Sequence, residues 1–131
     1  AAPDPERTQA AVAGLDLVVG IQTKLNRGHL LNTRDALILP CLGRTEIDVQ
    51  ATGPQAVTVE DSMSMVHASR GLNPPASPAL RSEPAIVAGI ARATLGSDVV
   101  DWAALVADYD RIRDLIEQAV PGFDGYNARV R

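Results

Sequence analysis

Short apolar runs, separated by glycine, proline and charged residues, divide the chain into elements. Leu15 to Ile21 (Leu-Asp-Leu-Val-Val-Gly-Ile) is nearly continuous in apolar and β-branched residues. It predicts a strand covered on both faces, as parallel sheets have. Ala36 to Leu39, stopped by Pro40, predicts a second buried strand whose end is set by a residue that cannot donate to a ladder. Between them, Leu25 to Thr33 carries Leu25, Leu30 and Leu31 and predicts a short helical crossover, joining the strands in a right-handed parallel unit. Upstream, Pro3 and Pro5 lead into an alanine-rich helix over Glu6 to Ala13, with Gly14 as its cap. Beyond a turn at Gly53-Pro54, Val57-Thr58-Val59 reads as a strand. Met63, Met65 and His67, spaced by two, suggest another extended piece.

The pattern changes in the last half. Gly71 to Ser82 holds Pro74, Pro75 and Pro78 and cannot be regular structure. Ser82-Glu83-Pro84 then opens a helix: a serine cap, an acid in the first turn and a proline where one is tolerated. Ile86, Val87, Ile90, Ala91 and Leu95 form its apolar stripe and Gly96 ends it. Asp101 caps a last long helix lined by Trp102, Leu105, Tyr109, Ile112 and Leu115, stopped by Pro121 and Gly122. A helical turn around Gly122 to Ala128 and a basic end at Arg129 and Arg131 complete the chain. No internal repeat is visible. The elements predict an α/β fold: a short, largely parallel sheet with flanking helices and a helical C-terminal third.

Composition narrows the partners. A chain of 131 residues suits one domain. With 46% hydrophobic and only 3% aromatic residues, the core must be built from Ala, Val, Leu and Ile. A net charge of -4 without a basic cluster argues against a nucleic-acid surface. Cys41 is the single cysteine, so an intramolecular disulfide is excluded. The first residues, Ala-Ala-Pro-Asp-Pro-Glu-Arg, lack the regions of a signal peptide, and no apolar run approaches membrane-spanning length. The expected location is cytoplasmic, without a membrane partner. The missing initiator methionine suits a processed protein or an excised piece.

Candidate chemistry is sparse. His29, His67, Cys41 and Glu46 lack the close spacing of metal ligands, so ordinary surface or capping roles are expected. Cys41 as a nucleophile with His67 as base would need an exposed, electropositive thiol. Directly after a buried strand, a small buried thiol is the expectation. There is no Gly-x-Ser-x-Gly elbow and no phosphate-cradling glycine loop. Glu60, Asp61, Ser62 and Ser64 read as a solvated strand end or turn, and Met63 and Met65 as core. Three polar groups remain: Gln22-Thr23-Lys24, Arg44-Thr45-Glu46 and Ser82-Glu83. The first two follow strands and the third starts a helix, places that converge at the ligand end of a parallel sheet. They either hydrogen-bond a nucleotide's base and sugar, with Lys24 near a phosphate, or cap loops and the helix.

A resemblance sharpens this. Lys24-Leu25-Asn26-Arg27 with His29-Leu30, then Ala36 through the Leu-Pro-Cys-Leu-Gly-Arg-Thr-Glu-Ile run to Asp48, resembles the catalytic alpha subunits of molybdopterin oxidoreductases, in their formate-dehydrogenase-like branch. Val57 to Met63, Val66 to Gly71, Arg81 to Ala88, Asp108 to Asp114 and Pro121-Gly122-Phe123 extend the match, in order, over nearly the whole chain. Those enzymes are several times longer and hold a bis(molybdopterin guanine dinucleotide) molybdenum centre between domains. The resemblance therefore implies one internal segment of an oxidoreductase. Residues 1–70 would be the strand and helix part of a dinucleotide-binding domain, 71–82 a proline-rich loop and 83–131 a helical part. By position, Gln22, Thr23 and Lys24 resemble the post-strand residues that contact the guanosine part, and Glu83 an acid at a helix start that accepts from a guanine or pterin N–H edge. Glu46 lies near a Glu-Lys element of other branches, with Ile47 in place of the lysine.

No residue matches the metal-ligating position. Iron–sulfur cysteines would lie upstream and a cofactor-binding barrel downstream. The resemblance implies a fragment inactive alone, with no cofactor bound to it, whose partners are the remaining domains of its parent. Its bare surfaces favour self-association. The competing reading is a stand-alone α/β binding or interaction module without catalysis.

Overall fold

The apolar run around Val18 does become a strand. In the computed structural model, which describes residues 3–30, 33–96 and 99–130, β1 is Leu17–Gln22 and β2 is Asp35–Pro40. They pair in parallel from Leu17 opposite Asp35 to Gln22 opposite Pro40. Upstream lies helix α1, Pro5–Ala13, capped by Asp4, whose carboxylate accepts from the Arg7 N–H at 3.0 Å. The Gly14 N–H closes the helix onto the Ala10 and Ala11 carbonyls, each at 3.2 Å. Residues 1–41 form one compact unit and 42–131 a second.

The crossover from β1 to β2 is not the expected helix but a single 3-10 turn, Arg27–Leu30; Leu31 lies outside the described residues. Asn26 and Gly28 explain the tightness, because the Asn26 side chain accepts from the Gly28 N–H at 2.8 Å, a local bond that competes with helix. The expected burial of both strands is not met either. Leu17 is 52% and Leu37 53% exposed, and α1 has no buried residue. Among the described residues of this first unit, the two-stranded parallel pair lacks layers to cover both faces.

The second unit departs from a parallel sheet. β3 (Val49–Gln50) pairs antiparallel with β4 (Gly53–Pro54), and β5 (Val57–Glu60) antiparallel with β6 (Val66–Ser69). Among the described residues, parallel pairing between named strands is thus confined to β1 and β2, with one isolated parallel bridge between Glu46 and Asn73. Gly53 and Pro54, expected as a turn, are β4 itself, and the turn falls on Ala51 and Thr52. Met63 and Met65 are neither strand nor core: they lie in the β5–β6 turn, 78% and 59% exposed. Asp61 builds that turn, its carboxylate accepting from the Met63 and Met65 N–H groups at 2.8 and 3.0 Å. The period-two spacing therefore counted turn residues as strand.

Helix α2 is Glu83–Leu95, with Ser82 at its cap and Gly96, at φ 72°, at its end. Its buried face is narrower than the expected stripe: Ala88 and Ala91 are buried, whereas Val87, Ile90 and Leu95 stay exposed. The last long helix is two helices, α3 (Trp102–Ala107) and α4 (Tyr109–Ala119), broken at an extended Asp108. The break has a cause outside the helix. The Ala107 carbonyl accepts from the Thr52 N–H and hydroxyl at 3.2 and 3.0 Å, and the Tyr109 N–H donates to Gln55 at 2.9 Å. A continuous helix would have kept both groups for itself.

The short helix α5, Tyr126–Arg129, closes the unit. Its Tyr126 stacks edge-on against Phe123 with ring centroids 4.8 Å apart and reaches the Thr58 hydroxyl at 3.1 Å. An aliphatic core was expected, yet Tyr109 and Tyr126 are buried beside Ala56, Ala88 and Ala91. Arg113 is buried with them, and each of its guanidinium nitrogens has a partner. It donates to the Ala56 carbonyl at 2.9 Å, to Asn127 at 2.6 Å and to Asp110. Few aromatics suffice when each carries a polar tip that finds a partner.

Candidate functional site

In the first unit, Gln22 ends β1, and Thr23 and Lys24 follow it in the bend beyond. Because the pairing is parallel, β2 ends beside them at Pro40, and the Cys41 N–H donates to the Gln22 carbonyl at 3.2 Å. Gln22 is half-buried; Thr23 and Lys24 are exposed. His29 folds back beneath this tip, and a Cβ on Gly20 would stand 3.1 Å from its Nε2. Its Nδ1 accepts from the Asn26 N–H at 2.9 Å, so the ring packs and caps locally. Cys41 is 4% exposed, the buried thiol expected after the strand.

Glu46 and Glu83 belong to the second unit. Glu46 works first as a staple. One carboxylate oxygen accepts from the Gly43 N–H at 2.6 Å, the other from the Ala76 N–H at 2.5 Å. Those two bonds, in that order, hold its carboxyl below the ordinary value of 4.5. The proline-rich stretch is thereby strapped across Thr45 to Ile47. The Leu72 and Asn73 N–H groups donate to the Thr45 carbonyl, each at 2.9 Å, and the Ile47 N–H donates to the Asn73 carbonyl at 2.8 Å. Gly71 makes the approach feasible, since a Cβ there would lie 1.9 Å from the Glu46 carbonyl oxygen. These backbone hydrogen bonds take the place of regular structure here.

Beside the strap opens a cavity of about 610 Å³ in the second unit, with Arg44, Glu46 and Glu83 among its polar lining and Val57, Trp102 and Leu105 among its apolar walls. Its size falls in the range of small-molecule sites, which are apolar with few polar groups. Glu83 is exposed, at the first position of α2, where the helix dipole favours its charge.

Ser82, Asp48 and Tyr109 also line this cavity. The Tyr109 hydroxyl, on a side chain 2% exposed, lies 2.5 Å from Asp48 and 2.7 Å from Ser82. Burial, and then the Asp48 carboxylate, push this hydroxyl well above its ordinary pKa. Gln50 completes the group, donating to Asp48 at 2.6 Å and to Ser82 at 3.3 Å. Sequence reasoning read Ser82 as a cap and Tyr109 as a helix-face aromatic, gave Asp48 no role, and missed their convergence. The available signal was Tyr109 itself: a tyrosine on an apolar helix face needs a partner for its hydroxyl.

The other candidates resolve as local structure. His67 Nε2 is 2.8 Å from Asp61, and that contact, with the Met65 and Met63 N–H groups after it, keeps the Asp61 carboxyl below its ordinary value. Glu60 ends β5, and Asp61, Ser62 and Ser64 follow in the solvated turn that was expected, with Ser64 at φ 59°. Among the described residues, no cluster of three or more His, Cys, Asp or Glu gathers to hold a metal ion. None of their helices is long and apolar enough to cross a membrane.

Comparison with known proteins gives the class first. The chain is similar to an uncharacterized oxidoreductase of Mycobacterium tuberculosis, 50% identical over 132 positions that take in all of this chain and 17% of that protein. It is also similar to proteins named YdeP: 58% identical over 131 residues in Escherichia coli and in Shigella flexneri, again all of this chain and 17% of each relative. The chain thus spans about one sixth of the length of the curated relatives it matches. Its span matches a minor share of larger proteins, some of them named oxidoreductase. No family model matches it, and no solved structure does.

Proposed function

We propose that this chain forms part of the wall gripping the guanine dinucleotide tail of a molybdenum cofactor, within a larger formate-dehydrogenase-like oxidoreductase, and performs no chemistry alone. The observation that carries the reading is the parallel register of β1 and β2. It sets Gln22, Thr23 and Lys24 at the C-terminal tip of a strand, where open α/β sheets bind nucleotides. The residue types suit that group. Gln22 offers an amide donor and acceptor, Thr23 a hydroxyl for a sugar and Lys24 an ammonium for a phosphate. In the second unit Glu83 offers an exposed carboxylate to an N–H edge. Glu46, already holding two backbone N–H groups, retains further acceptor capacity on each oxygen.

The molybdenum centre, when bound, supplies two-electron redox chemistry, on formate or a related small substrate by family likeness. This chain's residues bind and orient. The remaining domains of the parent polypeptide complete the cleft, in keeping with relatives six times as long. The test uses the full-length protein. Lys24→Ala and Glu83→Gln each remove a charge-assisted hydrogen bond, so retention of guanosine nucleotide through extended dialysis should weaken by roughly tenfold. Guanosine monophosphate released by acid hydrolysis gives the readout. Wild-type retention in both variants would contradict the assignment.

A further inference from the structure

The hydroxyl protons around Tyr109 can be placed by elementary chemistry. An ionised Asp48 carboxylate only accepts, so the Tyr109 hydroxyl donates to it across 2.5 Å. That commits the single phenolic proton. Across the 2.7 Å contact Ser82 must therefore donate to the Tyr109 oxygen. The Ser82 oxygen is then left to accept, from the Ala85 N–H at 3.4 Å as the cap of α2 and from Gln50 Nε2 at 3.3 Å. The second Gln50 proton closes the circuit on Asp48 at 2.6 Å. Tyr109 is anchored at its other end too, its N–H donating to Gln55 at 2.9 Å. Ser82 is 6% exposed, so bulk solvent is a poor replacement for a lost acceptor.

We propose that Tyr109 is the positioning residue for Glu83: the proton order Ser82 to Tyr109 to Asp48 fixes the Ser82 cap and so the place where α2 presents its first carboxylate to the cavity. Only the use of Glu83 toward a nucleotide rests on the function proposed above; the relay is a property of residues 48 to 109. The Tyr109 ring is largely kept in Tyr109→Phe, which leaves the Ser82 proton without its acceptor and Asp48 without its donor.

Amide hydrogen exchange in this chain, followed by NMR, tests the inference. In Tyr109→Phe the Ala85 N–H should exchange about tenfold faster, the scale set by leaving buried polar groups unpaired, while the amides of Ile116 and Glu117 in α4 change less. Ser82→Ala should match that effect, and Ser82→Thr, which keeps the hydroxyl, should restore protection. Tyr126→Phe loses a hydroxyl bonded to Thr58 at 3.1 Å and should leave Ala85 unchanged. Equal acceleration at every amide, or an Ala85 rate unmoved in Tyr109→Phe, would overturn the positioning role. Should Tyr109→Phe fail to fold, the wild-type chain decides. Slowly exchanging hydroxyl protons on Ser82 and Tyr109 support the relay, and fast exchange at either overturns it. A chain with the exchange change whose full-length parent never retains guanosine nucleotide would sink the proposed function and leave the relay standing.

Discussion

A single glycine decides whether the strap over Glu46 can exist. Any side chain at Gly71 must displace backbone, because a Cβ would sit 1.9 Å from one Glu46 atom and 2.1 Å from another. Gly71→Ala should therefore destabilise residues 42–131 by roughly 3 kcal/mol, the upper end for overpacking, read as a lower urea midpoint. The Glu46 carboxylate supplies the other fastening, and its pH dependence has a definite sign. Its folded pKa lies below the ordinary 4.5 because the Gly43 and Ala76 N–H groups favour the charged form. The stabilisation is thus present above pH 4.5 and lost as pH falls through the lower, folded value. Protection of the Ala76 N–H, taken relative to the free-peptide exchange rate at each pH, should fall under such acidification, and Glu46→Gln should show little further fall there. At this scale the sequence was readable where chemistry is local. The Ser82 cap, the Asp61 turn and the buried Cys41 all follow from nearest neighbours. The Glu46–Ala76 and Asp48–Tyr109 bonds join residues 30 and 61 positions apart, and no spacing rule reaches that far.

Among elements, the break at Asp108 is the sharpest case of tertiary contacts overriding periodicity. Trp102, Leu105, Tyr109, Ile112 and Leu115 keep helical spacing across it, so pattern alone reads one helix. Thr52 in the β3–β4 turn draws off the Ala107 carbonyl and the Gln55 side chain, just after β4, the Tyr109 N–H, and Asp108 caps the second helix by accepting from the Asp110 N–H at 3.0 Å. Asp108→Ala separates the two views. Helix propensity predicts a gain from alanine, whereas loss of a cap predicts destabilisation of about 1 kcal/mol. Chemical denaturation monitored by circular dichroism should show the loss. The same contest explains the crossover after β1, where Asn26 and Gly28 make a tight turn that leucine spacing hid. β1, β2 and β5 were legible because short β-branched runs bounded by turn residues leave few alternatives. The two-residue strands β3 and β4 carry too little pattern to register.

For the molecule as a whole, fold class was readable and sheet direction only in part: mixed α/β with a helical C-terminal third but, among the described residues, one parallel strand pair and two antiparallel hairpins. The candidate site divides in the same way. Gln22, Thr23 and Lys24 lie at a strand tip as expected from pattern, Glu83 opens its helix, and Glu46 turns out to be tied into a loop as well as facing a cavity. What pattern cannot supply is a partner outside the span, and this span is 17% of its relatives. The central claim, that these residues help hold a pterin guanine dinucleotide in a larger redox protein, is tested most directly by analysing the purified full-length protein for metal and nucleotide together. Molybdenum and acid-released guanosine monophosphate should appear in a constant ratio across preparations, and both should fall together in Lys24→Ala. An active, full-length protein containing neither would contradict the account.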